Sequence, residues 1–216
     1  VFLFANKSPP IKTIKNFLST HGLTTGLRRI RSDQGGELAK SKDFRQCVLD
    51  AGYTLETTGA GASFQNVIAE RPHRTLANMM RTMLTGSNLG SEYWSYALRH
   101  AVYIKNRLSH QALPKYISPF QQYTHRRPDI SHIRVFGSHV IVKEPRVWRY
   151  KLDTNHVTTG TFLGFTATDR TIWFEDATSG ELKSARHAVF DEAHFCSENR
   201  PPYAQQLIDI TEESLV

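Results

Sequence analysis

Cysteine is almost absent from this chain. Cys47 and Cys196 are the only two in 216 residues, too few for a disulfide framework or a zinc set, which fits an intracellular protein. Long apolar runs are missing too. None approaches the roughly 20 residues of a membrane span, so no membrane partner is expected. The start, Val1-Phe2-Leu3-Phe4, lacks the basic flank and small-residue cleavage site of a signal peptide. It reads as a strand already in progress, so the chain is expected to begin inside a domain. Acidic residues are scarce in one region. Between Glu70 and Lys151 there are 4 Asp/Glu against 14 Lys/Arg, while the remainder carries 13 basic and 16 acidic residues. That localised surplus fits a polyanion partner such as nucleic acid, with a solvated basic surface as the plain alternative. With 39% hydrophobic and 22% charged residues, the chain is long enough to bury a core, as one large or two small domains.

Periodicity and punctuation give the elements. Val1–Ala5 reads as a strand, followed by a break at Ser8-Pro9-Pro10. Pro10 suits a helix's first turn, Ile11, Ile14, Phe17 and Leu18 recur at helical spacing, and His21-Gly22 should close that helix. Leu27–Ser32 reads as a strand with Asp33 just past its end and Gly35-Gly36 as the turn. Ser41–Ala51 is a short helix with Phe44, Val48 and Leu49 on one face and Gly52 as its stop. Tyr53–Thr57 is a strand, and Gly59–Ser63 a flexible loop. A long helix covers about Gln65 to Leu84, burying Ile68, Leu76, Met80, Met83 and Leu84. Pro72 interrupts it at a cost of ~3 kcal/mol for an interior position, so the helix either begins only a little before Glu70 or is kinked. A further helix runs from about Ser91 to Leu108, where Tyr93, Trp94, Tyr96 and Tyr103 read as packing groups. Pro114, Pro119 and Pro128 punctuate an irregular stretch. From His132 the texture turns to short β-rich runs: Ile133–Phe136, His139–Lys143, Thr159–Leu163, Thr171–Phe174 and Ala188–Phe190, with a hairpin turn at Ala177–Gly180. These make a small all-β unit, read as a barrel. Ser197–Val216 is polar and acidic and reads as a linker.

Two carboxylates stand out. Asp33 ends a basic, β-branched strand before Gly35-Gly36-Glu37, and Glu70 lies near the start of the long helix after Gln65-Asn66. Singly, each has a plain explanation: an aspartate before Gly-Gly is often a turn residue, and a glutamate in a first helical turn favours the dipole. Jointly, two carboxylates fixed on different rigid elements can hold divalent metal between them, which phosphoryl-transfer chemistry on nucleic acid requires.

The joint pattern of Arg31–Glu37, Gln65-Asn66, Ala69-Glu70-Arg71 and Arg74-Thr75-Leu76 resembles the integrase core of copia-type LTR retrotransposons, a DDE polynucleotidyl transferase with an RNase H-like fold. The resemblance continues through Tyr93-Trp94, Asn106-Arg107, Ser118-Pro119-Phe120, Arg134-Val135-Phe136-Gly137, Lys151-Leu152-Asp153, Phe162-Leu163-Gly164-Phe165 and Val189-Phe190-Asp191-Glu192. It implies an α/β fold: a partial RNase H-like core of mixed sheet and helices over residues 1–128, a small SH3-like barrel over 132–195, and a polar tail over 196–216. It makes Asp33 and Glu70 the second and third acids of the triad. The first is expected upstream of residue 1, and the zinc-binding unit that usually precedes the core is not found. Where the family has Gly after Gln-Asn this chain has Val67, Ala62-Ser63-Phe64 stands before Gln65, and Pro72-His73 follows Glu-Arg.

The resemblance further implies Mg²⁺ (or Mn²⁺) bound by Asp33 and Glu70, with a two-metal site only when the third acid is supplied. Gln65 and Asn66 would contact DNA near the scissile phosphate. Arg71, Arg74 and Arg81, spaced to share one or neighbouring helix faces, would contact phosphates. Trp148 and Arg149-Tyr150-Lys151 could touch nucleic acid as well. Partners would be element-end and target DNA and, in the intact integrase, further copies of the chain. Its location would be a cytoplasmic particle and then the nucleus. With two of three acids, this chain alone is not expected to join DNA ends. A non-catalytic nucleic-acid-binding remnant of a decayed element is the alternative. An RNase H-type nuclease would share the acids without explaining the β-unit.

Overall fold

Ser41 shows how local sequence sets the elements. Its side-chain oxygen accepts from the Phe44 amide at 3.2 Å, capping helix α2 (Lys42–Asp50). In this computed structural model, residues 3, 10–25, 29–32, 40–57, 67–143, 157–166 and 171–195 are described. They fall into two compact units, one reaching Arg74 and the other starting at Thr75. The strand expected at Val1–Ala5 (apart from Leu3), the Gly35-Gly36 turn, the Gly59–Ser63 loop, Trp148–Lys151 and the tail from Ser197 lie outside the described residues.

The first unit holds α1 (Ile11–Thr25), β1 (Arg29–Ser32), α2, β2 (Thr54–Thr57) and the start of α3 (Val67–Gly86). Strands β1 and β2 pair in parallel, from Arg29 opposite Thr54 to Ser32 opposite Thr57. Leu18, Phe44, Val48 and Tyr53 are buried together, with Ile11, Ile14, Ile30 and Leu55 packed against them. Helix α1 does not close at His21-Gly22 but runs on to Thr25, since one glycine weakens a helix by only ~1 kcal/mol without stopping it. On α2 the third buried residue is Cys47, whereas Leu49 is 61% exposed. At ~100° per residue, positions three and four after Phe44 stay on its face and position five turns away. Gly52, at φ +77°, follows the helix end, where the left-handed conformation favours glycine.

Helix α3 runs through Pro72 and begins at Val67, only three residues before Glu70. Val67, the departure from the resembled pattern after Gln65-Asn66, is thus already helical. Leu76, Met80, Met83 and Leu84 are half-buried. The helix ends in a Schellman arrangement: Asn88 is left-handed (φ 53°), its amide donates to Thr85 O at 3.2 Å, and the Leu89 amide donates to Leu84 O at 3.1 Å.

In the second unit a 3₁₀ turn (Ser91–Tyr93) leads into α4 (Trp94–Arg107), another 3₁₀ turn (Pro114–Tyr116) precedes α5 (Pro119–Thr124), and five strands follow. These are β3 (Ser138–Lys143), β4 (Val157–Phe165), β5 (Ile172–Asp176), β6 (Leu182–Ala185) and β7 (Ala188–Phe195), in one antiparallel sheet ordered β6-β5-β4-β3-β7. The chain is therefore mixed α/β with a five-stranded antiparallel sheet. Val140, Val142, Phe162, Ile172 and Phe174 form the sheet's core. Tyr93 and Tyr96 are packed as expected, but Trp94 is 43% exposed. The expected strand at Ile133–Phe136 is not one. The Val135 amide donates to the Glu192 carboxylate at 3.0 Å, and Gly137 turns the chain at φ +82°. A Cβ on Gly137 would lie 2.2 Å from the Ser87 Cβ, so the glycine permits a close approach as well as a turn. No described helix is long and apolar enough to cross a membrane.

Helix α4 packs on β4 through His100. The imidazole is 1% exposed, stacked on Phe165 at 5.7 Å and edge-on to Phe162 at 5.4 Å. Among the described residues neither ring nitrogen has a partner at hydrogen-bond geometry. Burial lowers its pKa to about 4, and a looser approach to the Arg134 backbone opposes that shift. Nearer the start of α4, the Tyr93 hydroxyl donates to the buried Glu175 carboxylate, 3.0 Å from each oxygen.

Candidate metal and nucleic-acid site

The parallel pair fixes where β1 ends. Ser32, opposite Thr57, is its last residue, and its hydroxyl is buried without a partner. Asp33, the next residue, lies outside the described residues, as do Gln65 and Asn66. Glu70 is in the first turn of α3 and exposed. No hydrogen bond or ion pair to a described residue occupies its carboxylate. Pro72 has no amide hydrogen to donate to the Ile68 carbonyl, so the turn carrying Glu70 is held by one bond fewer than an ordinary helical turn.

Arg74 lies four residues beyond Glu70, on the next turn of the same face, and is exposed; Arg71 is exposed beside it. Arg81 is exposed on the part of α3 that belongs to the second unit, and donates to Asn78 Oδ1 at 3.2 Å. The first unit thus brings Glu70, Arg71 and Arg74 together at one helix start. Among the described residues no group of three or more His, Cys, Asp or Glu could hold a metal ion.

One ionic cluster was not foreseen from the sequence. Glu56 on β2 accepts from Arg31 Nη2 at 3.0 Å and from Arg29 Nη1 at 3.3 Å. The Arg31 hydrogen bond holds the Glu56 carboxyl below its ordinary pKa; desolvation opposes it, and the charges of both arginines with the Arg29 hydrogen bond add to the lowering. The alternation Arg29-Ile30-Arg31 against Thr54-Leu55-Glu56 is visible in the sequence. The register, with Arg31 opposite Glu56 and Arg29 two residues back, places the three charges on one face.

As chemistry, Glu70 offers hard oxygen ligands suited to a divalent cation. Its neighbouring arginines offer forked donors suited to phosphate. Carboxylate and guanidinium side by side on a helix start can serve a polyanionic substrate and the cation that accompanies it.

No protein-family model matches the chain. Among curated proteins it is similar to the Retrovirus-related Pol polyprotein from transposon TNT 1-94 of Nicotiana tabacum, 29% identical over 195 residues, 89% of this chain and 14% of that protein. It is similar also to those from transposon RE2 of Arabidopsis thaliana, 29% over 171 residues (79% of this chain, 11% of that protein), and transposon RE1 of the same plant, 29% over 183 residues (85% and 12%). The chain therefore spans 11–14% of the length of these relatives. A solved structure, the simian T-cell lymphotropic virus intasome in complex with PP2A regulatory subunit B56 gamma, overlaps 84% of this chain and 63% of that chain, at 13% identity and a TM-score of 0.42.

Proposed function

We propose that this chain, a relative of the retrovirus-related Pol polyproteins of plant transposons, is a fragment of their integrase, the part that joins element DNA ends to target DNA. One observation carries the reading: a similarity covering 89% of the chain necessarily spans both Asp33 and Glu70. In this reading residues 1–128 are a partial RNase H-like core and 132–195 an SH3-like module.

Asp33 and Glu70 would hold Mg²⁺ or Mn²⁺, whose preference for oxygen ligands matches a carboxylate pair. With the third acid supplied, a cation pair held there would activate the attacking hydroxyl and stabilise the leaving oxygen. The remaining work falls to the chain's own side chains. Gln65 and Asn66 orient DNA beside the carboxylates. Arg71, Arg74 and Arg81 hold phosphates in register along α3. DNA and further copies of the chain are its partners, in a cytoplasmic particle and then the nucleus.

Paramagnetic line broadening by Mn²⁺ tests the metal site without needing turnover. Amides flanking Asp33 and Glu70 should broaden first, and Asp33→Asn or Glu70→Gln should abolish the effect. Duplex DNA binding should weaken steeply with salt as counterions are released. Broadening confined to other residues would overturn the metal assignment. Salt-sensitive binding without any such broadening would make the chain a non-catalytic nucleic-acid-binding remnant.

A further inference from the structure

We propose that the segment joining α4 to the sheet, residues 115–127, is a platform for single-stranded nucleic acid. Tyr116 and Tyr123 stack on unpaired bases, and Lys115, Arg126 and Arg127 hold the phosphates. The platform goes beyond the metal-site reading and shares no residue with it.

Exposure singles out the two tyrosines. Tyr116 is 68% exposed and Tyr123 55%, whereas Tyr93 in the earlier 3₁₀ turn and Tyr96 in α4 are buried. Charge decides what such rings would meet. From Lys105 to Arg134 the chain carries six Lys/Arg and one acid, Asp129. That carboxylate is engaged by the Ser131 amide at 2.9 Å and hydroxyl at 2.7 Å. Exposed aromatics set among cations, with a single and already satisfied acid, complement a polyanion with accessible ring faces. A duplex keeps its base faces stacked inside, so only an unpaired strand can use the tyrosines.

The display is held in place. Helix α5 is fastened to α4 by Arg107, whose guanidinium lies 3.5 Å from the Tyr103 ring centre and 4.9 Å from that of Phe120. Ser118 caps α5 by accepting from the Gln121 amide at 3.1 Å. Past its end, the Thr124 hydroxyl donates to Phe120 O at 2.8 Å and accepts from the Arg126 amide at 3.3 Å, setting where the arginine pair leaves the chain. Lys115 and Tyr116 sit at φ 56° and 52°, in a turn closed by the Tyr116 amide on Leu113 O at 3.3 Å. Two extended residues and one short helix separate the tyrosines, a Cα span on the order of 15 Å, within reach of a few consecutive nucleotides. A segment whose backbone is fixed beforehand loses less entropy on binding.

Fluorescence anisotropy of the full chain with labelled oligothymidylate, and separately with a labelled duplex, tests this. The Tyr116→Ala/Tyr123→Ala double variant should lose about tenfold or more in affinity for the single strand, at ~1–3 kcal/mol per stacked base, and less than about twofold for the duplex. Tyr116→Trp/Tyr123→Trp should keep or improve single-strand binding. Replacing Lys115, Arg126 and Arg127 with Gln should flatten the salt dependence on oligothymidylate by about 2 in log–log slope. Glu70→Gln should leave oligothymidylate affinity unchanged, so this test and that of the metal site fail separately. Equal losses on both ligands, or no loss on the single strand with folded variants by circular dichroism, would overturn the proposal. So would altered self-association with unchanged oligothymidylate affinity, which would assign the tyrosines to a protein interface.

Discussion

The sheet unit and the parallel-pair unit bury themselves by different means. Around β3, β4 and β5, side chains of five residues close a core in which Val140 and Phe162 have no exposed surface and Phe174 has 2%. A helix is pinned against that sheet by rings, His100 among Phe136, Phe162 and Phe165. Among the described residues of the first unit, five buried side chains, Leu18, Phe44, Cys47, Val48 and Tyr53, support two short parallel strands. One face of that pair carries Ile30 and Leu55 against the core, and the other carries Arg29, Arg31 and Glu56, with the arginine side chains 74% and 54% exposed. Parallel sheets usually have both faces covered. The sheet unit carries exposed Tyr116 and Tyr123 on a braced segment. The parallel-pair unit presents Glu70 and its neighbouring arginines on a helix start with one hydrogen bond fewer at Pro72.

The comparison is broken most directly in the larger core. Phe162→Ala should destabilise the sheet unit by about 3–5 kcal/mol, through lost burial and the cavity left behind. Hydrogen exchange should show amides of β3 to β7 losing protection far more than those of α2 and β2. Equal loss in both units would mean that they share one cooperative core. A second, smaller effect separates the units by pH. His100 is neutral when folded, with its pKa lowered from 6.5 to about 4. Above pH 6.5 the ring is neutral in both states and contributes no pH dependence. As pH falls from 6.5 toward 4, the unfolded chain takes up a proton that the folded chain refuses, so stability drops by up to about 3 kcal/mol. In urea melts across that window, wild type should lose up to about 3 kcal/mol relative to His100→Phe as pH falls, and parallel curves would disprove the assignment.

Legibility in the sequence follows the same division. Where one local rule decides, the reading held: Ser41 starting α2, Pro72 placing the start of α3 close to Glu70, and Ala177–Gly180 joining β5 to β6. It failed where distant partners decide. Glu192, 57 positions away, satisfies the Val135 amide and so competes with a strand there. Strand β6, Leu-Lys-Ser-Ala, has no β-branched or aromatic residue and exists because β5 pairs with it. Cys47 replaces Leu49 in the core because the helix face is set by what α2 packs against. At the candidate site, the place of Glu70 in a first helical turn was readable from pattern, whereas the Arg29–Glu56–Arg31 cluster depends on which residues of β1 and β2 stand opposite one another. The exposure of Tyr116 and Tyr123 had no periodic signature, since both lie between and within short turns rather than on a long helix face.

The smallest expected effect tests how thin the first unit is. Ser41→Ala removes the acceptor at 3.2 Å from the Phe44 amide and should cost about 1 kcal/mol, the usual worth of such a cap. That cap sits next to the core, because Phe44, whose amide it holds, is 3% exposed and packs with Leu18, Val48 and Tyr53. Losing it frays the first turn of α2 and loosens Phe44 with it. In a large core such a loss would stay local. Here Tyr53, at the entry to β2, donates from its hydroxyl to the Leu18 carbonyl at 3.4 Å, so one small cluster links α1, α2 and β2. Hydrogen exchange should therefore report faster opening in α1 and β2 as well as in α2, with the sheet unit unchanged. Fraying restricted to residues 42–46 would show that the cluster of Leu18, Phe44, Val48 and Tyr53 holds the unit together without its cap.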